Sequence, residues 1–188
     1  MKHDDIHIIK EILGGKSEQF EHILNRYSGQ VFNLIAHIVP CKEDAEELTQ
    51  DVFIKVFRLL SSFKEESSFS TWIYRIATNT ALSAARKRKH DTLHLDDAAY
   101  SNIPDEIIDE ALDNDSEEQL QRLSDAIGML NADERALITL YYMNEKPVAE
   151  VASILGLTVS NVKIKLLRTR KKLYLLLNDR KLWNRIEK

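Results

Sequence analysis

The sequence predicts an all-α chain: two small helical domains joined by an acidic flexible linker, with a helix-turn-helix in the second. Three observations carry this. Apolar residues recur at helical spacing along most of the chain. Gly and Pro are scarce, at 5 and 3 of 188 residues, and several mark breaks between those periodic stretches. From Asp91 to Glu118 there is no Lys or Arg, while acids fall at Asp91, Asp96, Asp97, Asp105, Glu106, Asp109, Glu110, Asp113, Asp115, Glu117 and Glu118. Such charge density argues for a linker, so the expected boundaries are 1–90, 91–118 and 119–188.

The N-terminus, MKHDDIHIIKEILGG, reads as a short helix with a Gly stop rather than a signal peptide. Ser17 is the expected cap of the next helix, whose seam runs through Phe20, Leu24, Tyr27, Val31, Leu34 and Ile38 to the stop at Pro40. A third helix buries Ala45, Leu48, Val52, Val56 and Leu59, and its acidic first turn suits the positive end of the helix dipole. Ser70 or Thr71 can cap a fourth, with Ile73, Ile76, Ala77, Thr80 and Ala84 on its inner face. After the linker, Leu120, Leu123, Ile127 and Leu130 mark a helix face, and Asn131 to Glu134 form a capping box ahead of Leu137, Leu140 and Tyr141. Pro147 is expected at a first helical position, Gly156 at a turn and Thr158 as the cap of a last helix with Val162, Leu166, Thr169 and Leu173 inside. The tail from Tyr174 through Leu176 and Leu177 towards Trp183 reads as packing.

The formal net charge is −4, yet outside 91–118 the balance is positive, and a nucleic acid feels the local patch within a Debye length. Cys41 is the single cysteine, which excludes an internal disulfide and points to a reducing, cytoplasmic setting. No hydrophobic run is long enough to span a bilayer, so no direct membrane insertion is expected. His90 and His94 lack a further ligand at metal spacing, and neither a metal nor another cofactor is expected.

Three candidate surfaces remain. Trp72, Arg75, Asn79, Ser83 and Arg86 share the polar face of the fourth helix, combining a stacking ring, positive charge and an amide able to read a base edge. The basic end of that helix, Arg86 to Lys89, also suits a solvated C-terminus. Glu47, Gln50, Asp51 and Ile54 form a mixed acidic and apolar face suited to a basic partner helix. The last helix is basic at Lys163, Lys165, Arg168, Lys171 and Lys172; it reads either as the DNA-reading helix of a helix-turn-helix or as half of a helical hairpin with a solvated basic side. On the first reading Ser160, Asn161, Lys163, Ile164, Leu167 and Arg168 face the groove, Ile164 and Leu167 touching thymine methyls, and Arg170 and Lys171 hold phosphates.

Taken together, DAEELTQDVFIKVFR at Asp44 to Arg58, FKEESSFSTWIYRIATNTA at Phe63 to Ala81 and VAEVASILGLTVSNVKIKLLRTRKKL at Val148 to Leu173 resemble one family. It is that of the extracytoplasmic-function sigma factors, the smallest sigma-70-type specificity subunits of bacterial RNA polymerase. The resemblance implies that Asp44, Glu47, Gln50, Asp51 and Ile54 dock on the clamp helices of the largest polymerase subunit. It implies that the loop of Phe63, Lys64, Ser67 and Ser68 captures a base flipped from the minus-ten element, beside Trp72, Arg75, Asn79, Ser83 and Arg86. It implies that Ser160, Asn161, Lys163, Ile164, Lys165, Leu167, Arg168, Arg170 and Lys171 meet the minus-thirty-five element. Core RNA polymerase and promoter DNA are then the partners, with an anti-sigma factor as a further one, and the chain has no catalytic residues of its own. Two details depart from the commonest pattern: Glu65 and Glu66 place two acids in the loop, and the recognition helix begins Thr-Val-Ser-Asn.

The alternative is a one-component regulator with a C-terminal helix-turn-helix. It requires a ligand pocket or phosphoacceptor in residues 17 to 90, and neither a Gly-rich cradle nor an acidic cluster after a strand is found there.

Overall fold

The computed structural model describes residues 2–87 and 117–178, and every regular element among them is helical. The N-terminal domain comprises α1 (Lys2–Leu13), α2 (Phe20–Ile38), α3 (Lys42–Leu59) and α4 (Phe69–Lys87); the C-terminal domain comprises α5 (Glu117–Gly128), α6 (Ala132–Ile138), α7 (Val148–Leu155) and α8 (Val159–Asn178). The expected linker up to residue 116, the basic residues after Lys87, His90, His94 and the tail after Asn178 lie outside the described residues. Glu117 already opens α5, so the second unit starts just ahead of the expected boundary.

The Gly stop of α1 is present: Gly15 takes φ +103°, and the amides of Gly14 and Lys16 return to the carbonyls of Lys10 and Glu11 at 2.9 and 3.0 Å. What fastens α1 is a polar device that no periodicity shows. Asp5, 6% exposed, accepts the Tyr27 hydroxyl at 2.7 Å and pairs with Arg26, both on α2. Burial, reinforced by the Asp5 carboxylate, pushes the Tyr27 hydroxyl far above its ordinary titration range.

Several expectations shift by a residue or a turn. Ser17 opens a short 3₁₀ turn, Ser17–Gln19, with no side-chain cap, and α2 begins at Phe20. Leu59, expected inside, is 46% exposed while Leu60 is 1% exposed, because the chain tightens into a 3₁₀ turn at Leu60–Ser62 and rotates the next side chain inward. The cap of α4 is Ser68, whose Oγ accepts the Thr71 amide at 3.1 Å. Its helix starts ahead of the expected Ser70 or Thr71 because Phe69 is buried edge-on to Tyr27 and stacked on Trp72. Leu120, expected on the inner face of α5, is exposed, whereas Ala126, Ile127 and Leu130 are buried.

In the C-terminal domain the capping box is complete: Asn131 Oδ1 accepts the Glu134 amide and Glu134 Oε2 accepts the Asn131 amide, both at 2.9 Å. A π-helical turn, Thr139–Met143, follows α6. Pro147 is the residue before α7 rather than its first member, with ψ 147°. Gly156 takes φ +67° and lets the Leu157 amide reach the Ala152 carbonyl at 2.9 Å, which makes the sharp turn into α8. A Cβ there would meet nothing within 4 Å, so only backbone strain opposes a side chain. Gly156→Ala is accordingly expected to lower stability by about 1–2 kcal/mol, read as a drop in urea midpoint at unchanged m-value. Thr158 caps α8 by accepting the Asn161 amide at 3.2 Å, and Val162, Leu166, Thr169 and Leu173 are buried as the pattern predicts. Lys172, predicted on the basic outer side, is 5% exposed and donates to Glu134 Oε2 at 2.9 Å. The long α8 turns this position towards α6, where a carboxylate is waiting for it.

The two domains also pack on each other, α4 against α7 and α2 against α6.

Candidate nucleic-acid interface

The loop before α4 is built around three rings. Phe63 lies 5.2 Å from Phe69 and 5.5 Å from Trp72, and Phe69 stacks on Trp72 at 5.7 Å. Phe63 and Trp72 are half-buried, so each has one side committed to the fold. Glu65 takes φ +60° and turns the loop, leaving Lys64, Glu65 and Glu66 exposed. Ser67 and Ser68 are half-buried, and Ser68 bonds to the hydroxyls of Ser70 and Thr71 at 2.9 and 2.7 Å.

Along α4 the helical spacing brings Arg75, Asn79, Ser83 and Arg86 to one exposed row, as expected. Its two cations have protein partners. Arg75 donates from Nε and Nη2 to the Ser153 carbonyl at 3.0 and 2.7 Å and from Nη2 to Ser153 Oγ at 2.9 Å. Arg86 donates to Asp133 at 3.2 Å.

On α8, Ser160, Asn161, Lys163, Ile164, Lys165 and Arg168 are exposed, with Ile164 at 49%. Leu167, expected to be as open as Ile164, is half-buried, and so are Arg170 and Lys171. The row is therefore narrower than the sequence suggests. Lys165 and Arg168 share with Asn79, Ser83 and Arg86 the lining of one cleft of about 610 Å³ between the domains.

The third surface lies on α3. Glu47, Gln50, Asp51 and Ile54 are exposed together, and Asp44 is half-buried. Beside them runs an apolar groove of about 490 Å³ lined by Phe20, Leu24, Phe53, Ile54 and Phe57. Phe57 is 44% exposed and sits edge-on to Phe20 at 5.0 Å. Sequence reading left it out, although it follows Ile54 by three residues and so continues the same face. Cys41 donates its thiol to Glu43 at 2.8 Å, which holds that carboxyl below its ordinary range. No cluster of His, Cys, Asp or Glu able to hold a metal occurs among the described residues, and no helix among them is long and apolar enough to cross a membrane.

Comparison with known proteins matches these two domains separately. Residues 23–90 match the family model of sigma-70 region 2, and residues 120–173 match that of sigma-70 region 4. Over 170 residues the chain is 30% identical to the ECF RNA polymerase sigma-E factor of Escherichia coli K12, covering 87% of this chain and 88% of that protein. The chain belongs to the extracytoplasmic-function sigma factors. This sigma factor is also 28% identical over 185 residues to the ECF sigma factor SigW of Bacillus subtilis, covering 91% of the chain and 95% of SigW. Its fold is that of CnrH, solved in complex with the cytosolic domain of CnrY, at a TM-score of 0.67 with 22% identity and coverage of 92% and 96%. RpoE of Bartonella quintana, solved with the anti-sigma factor NepR, gives 0.63 at 22% identity, covering 87% and 99%. The sigma factor is a non-enzymatic transcription initiation factor, and the one-component alternative is set aside.

Proposed function

We propose that this sigma factor divides promoter recognition between its domains while bound to core RNA polymerase in the cytoplasm. Residues 1–90 dock on the clamp helices through Glu47, Gln50, Asp51 and Ile54, flanked by Asp44, and read the minus-ten strand with the α4 row. Residues 119–188 read the minus-thirty-five duplex through α8, and 91–118 tether the two. The observation that carries this reading is the exposed row of Arg75, Asn79, Ser83 and Arg86 beside the Phe63–Phe69–Trp72 cluster. An extruded base needs a ring to lean on and polar groups to meet its edge, and that row with its rings supplies both. The exposed Lys163, Ile164, Lys165 and Arg168 similarly suit a major groove, offering donors to guanine and methyl contact to thymine.

A protein antagonist of the anti-sigma type is a further partner on this reading, since two related folds were solved with partner proteins, one of them named as an anti-sigma factor.

The test combines purified chain, bacterial core polymerase and a library of duplex promoters. Selected initiation above core alone is expected, and its absence rejects the reading. Asn79→Ala is expected to weaken opening of duplex promoters by about 1 kcal/mol, a several-fold loss, with a smaller effect on pre-melted templates. The opposite ranking would remove Asn79 from strand reading.

A further inference from the structure

Three charged side chains are buried among the described residues: Lys172, Arg135 and Asp5. Lys172 pairs with Glu134. Arg135 of α6 donates Nε and Nη2 to the Ile38 carbonyl, at 3.1 and 2.7 Å, and Nη1 to the carbonyls of Gly128 and Leu130, at 3.0 and 2.7 Å, so it joins the last residue of α2 to the last of α5. Both are joints between helices. Asp5 is a joint too, but its neighbours lead on to the rings beside the α4 row.

The contacts run in sequence. Asp5 accepts the Tyr27 hydroxyl at 2.7 Å. The buried Tyr27 ring stands edge-on to Phe69, with centroids 5.9 Å apart and planes at 80°. Phe69, also buried, opens α4 and touches both half-buried rings of the cluster, Phe63 at 5.2 Å and Trp72 at 5.7 Å. Phe69 is thus the hidden middle of the cluster, and Tyr27 is the ring behind it. Helix α1 packs in addition on α4 and on the 3₁₀ turn Leu60–Ser62, the elements on either side of the Phe63 to Ser68 loop. A phenyl ring at position 27 would fill the same space. The hydroxyl adds a demand, since a buried donor needs its acceptor, and Asp5 thereby fixes where the ring points.

We infer that Asp5 and Tyr27 are positioning residues for capture of the minus-ten strand: through Phe69 they hold Phe63 and Trp72 ready for an extruded base. Both are buried, so neither meets the strand itself. The inference rests on the assignment of the ring cluster and the α4 row to strand reading made above. Rings ordered during folding need no ordering when a base arrives, whereas rings left loose would take that cost out of binding. Arg26 belongs to the joint but not to the relay. It pairs with Asp5, its side chain is 34% exposed, and it fastens α1 without reaching Phe69 through any ring.

The test uses holoenzyme assembled from the full chain and core polymerase, with initial binding and the rate of opening at saturating duplex promoter measured separately. Tyr27→Phe keeps the ring and loses the hydroxyl. Asp5→Ala loses the acceptor. Asp5→Asn loses the ion pair with Arg26 but keeps a group that can bond the hydroxyl, and Arg26→Met loses the ion pair alone. Tyr27→Phe and Asp5→Ala are expected to slow opening about fivefold with initial binding unchanged, while Asp5→Asn and Arg26→Met stay within about twofold of the natural chain. In a Trp183→Phe background, which leaves Trp72 as the single tryptophan, Tyr27→Phe is expected to raise quenching of its emission by acrylamide. Should Asp5→Ala fail to fold, Tyr27→Phe against Asp5→Asn decides alone. Equal slowing in all four variants makes Asp5 a fastener of α1 only and overturns the inference, as does a loss confined to initial binding. Natural opening by Tyr27→Phe, with Asn79→Ala impaired, overturns it while strand reading stands. Natural opening by both Tyr27→Phe and Asn79→Ala sinks the strand reading itself, and the inference with it.

Discussion

Replacing Glu134 by alanine is expected to cost about 3–5 kcal/mol, a large fraction of what holds a small domain together. The carboxylate closes the capping box at the start of α6 through Oε2 and receives Lys172 at 3.2 and 2.9 Å. The side chains of Lys172 and Glu134 are 7% and 23% exposed, so little solvent is available to take over when the acid is gone. Alanine would strand an ammonium in the core, and leaving a buried charge unpaired is the costly half of breaking such a pair. Glu134→Gln separates the two roles. An amide keeps the capping geometry but not the charge, so it is expected to recover about 1 kcal/mol of the alanine loss. Urea unfolding of both variants checks this; equal midpoints would show that Glu134 is not acting as a cap.

Arg168→Ala is expected to relax discrimination at one base pair of the minus-thirty-five element by about 1–3 kcal/mol, leaving the other positions as they were. Arg168 is exposed on α8 two residues after the buried Leu166, so the core fixes its direction. Binding of the holoenzyme to a promoter set varied one position at a time reads the effect. A uniform loss on all sequences, with a shallower salt dependence, would reassign Arg168 to a phosphate.

The elements were legible where one rule decides them. A seam of period 3.6 survives in any packing, which is why Tyr27, Val31, Leu34 and Ile38 on α2 and Val162, Leu166 and Leu173 on α8 are buried as read. Gly156 and the Asn131 to Glu134 box were legible because local backbone chemistry determines them. Lys172 was misread because its partner lies in another helix, and no local pattern contains a pair so far apart in sequence. Asp5 with Arg26 and Tyr27 escaped for the same reason. The candidate surfaces were read one at a time, each from its own helix. What they could not disclose was Ser153 against Arg75 or Asp133 against Arg86, since these depend on how the domains meet. Leu59 was lost to the 3₁₀ turn, which breaks the helical period by one residue.

The position of Arg135 bears on how the chain melts. Its guanidinium satisfies carbonyls belonging to α2 as well as α5, so denaturing the C-terminal domain would leave the Ile38 carbonyl without its donor. Two halves that share such a fastening lose it together. Calorimetry on the isolated chain should record a single endotherm, whereas Arg135→Met should split it into two, each half then answering only for itself.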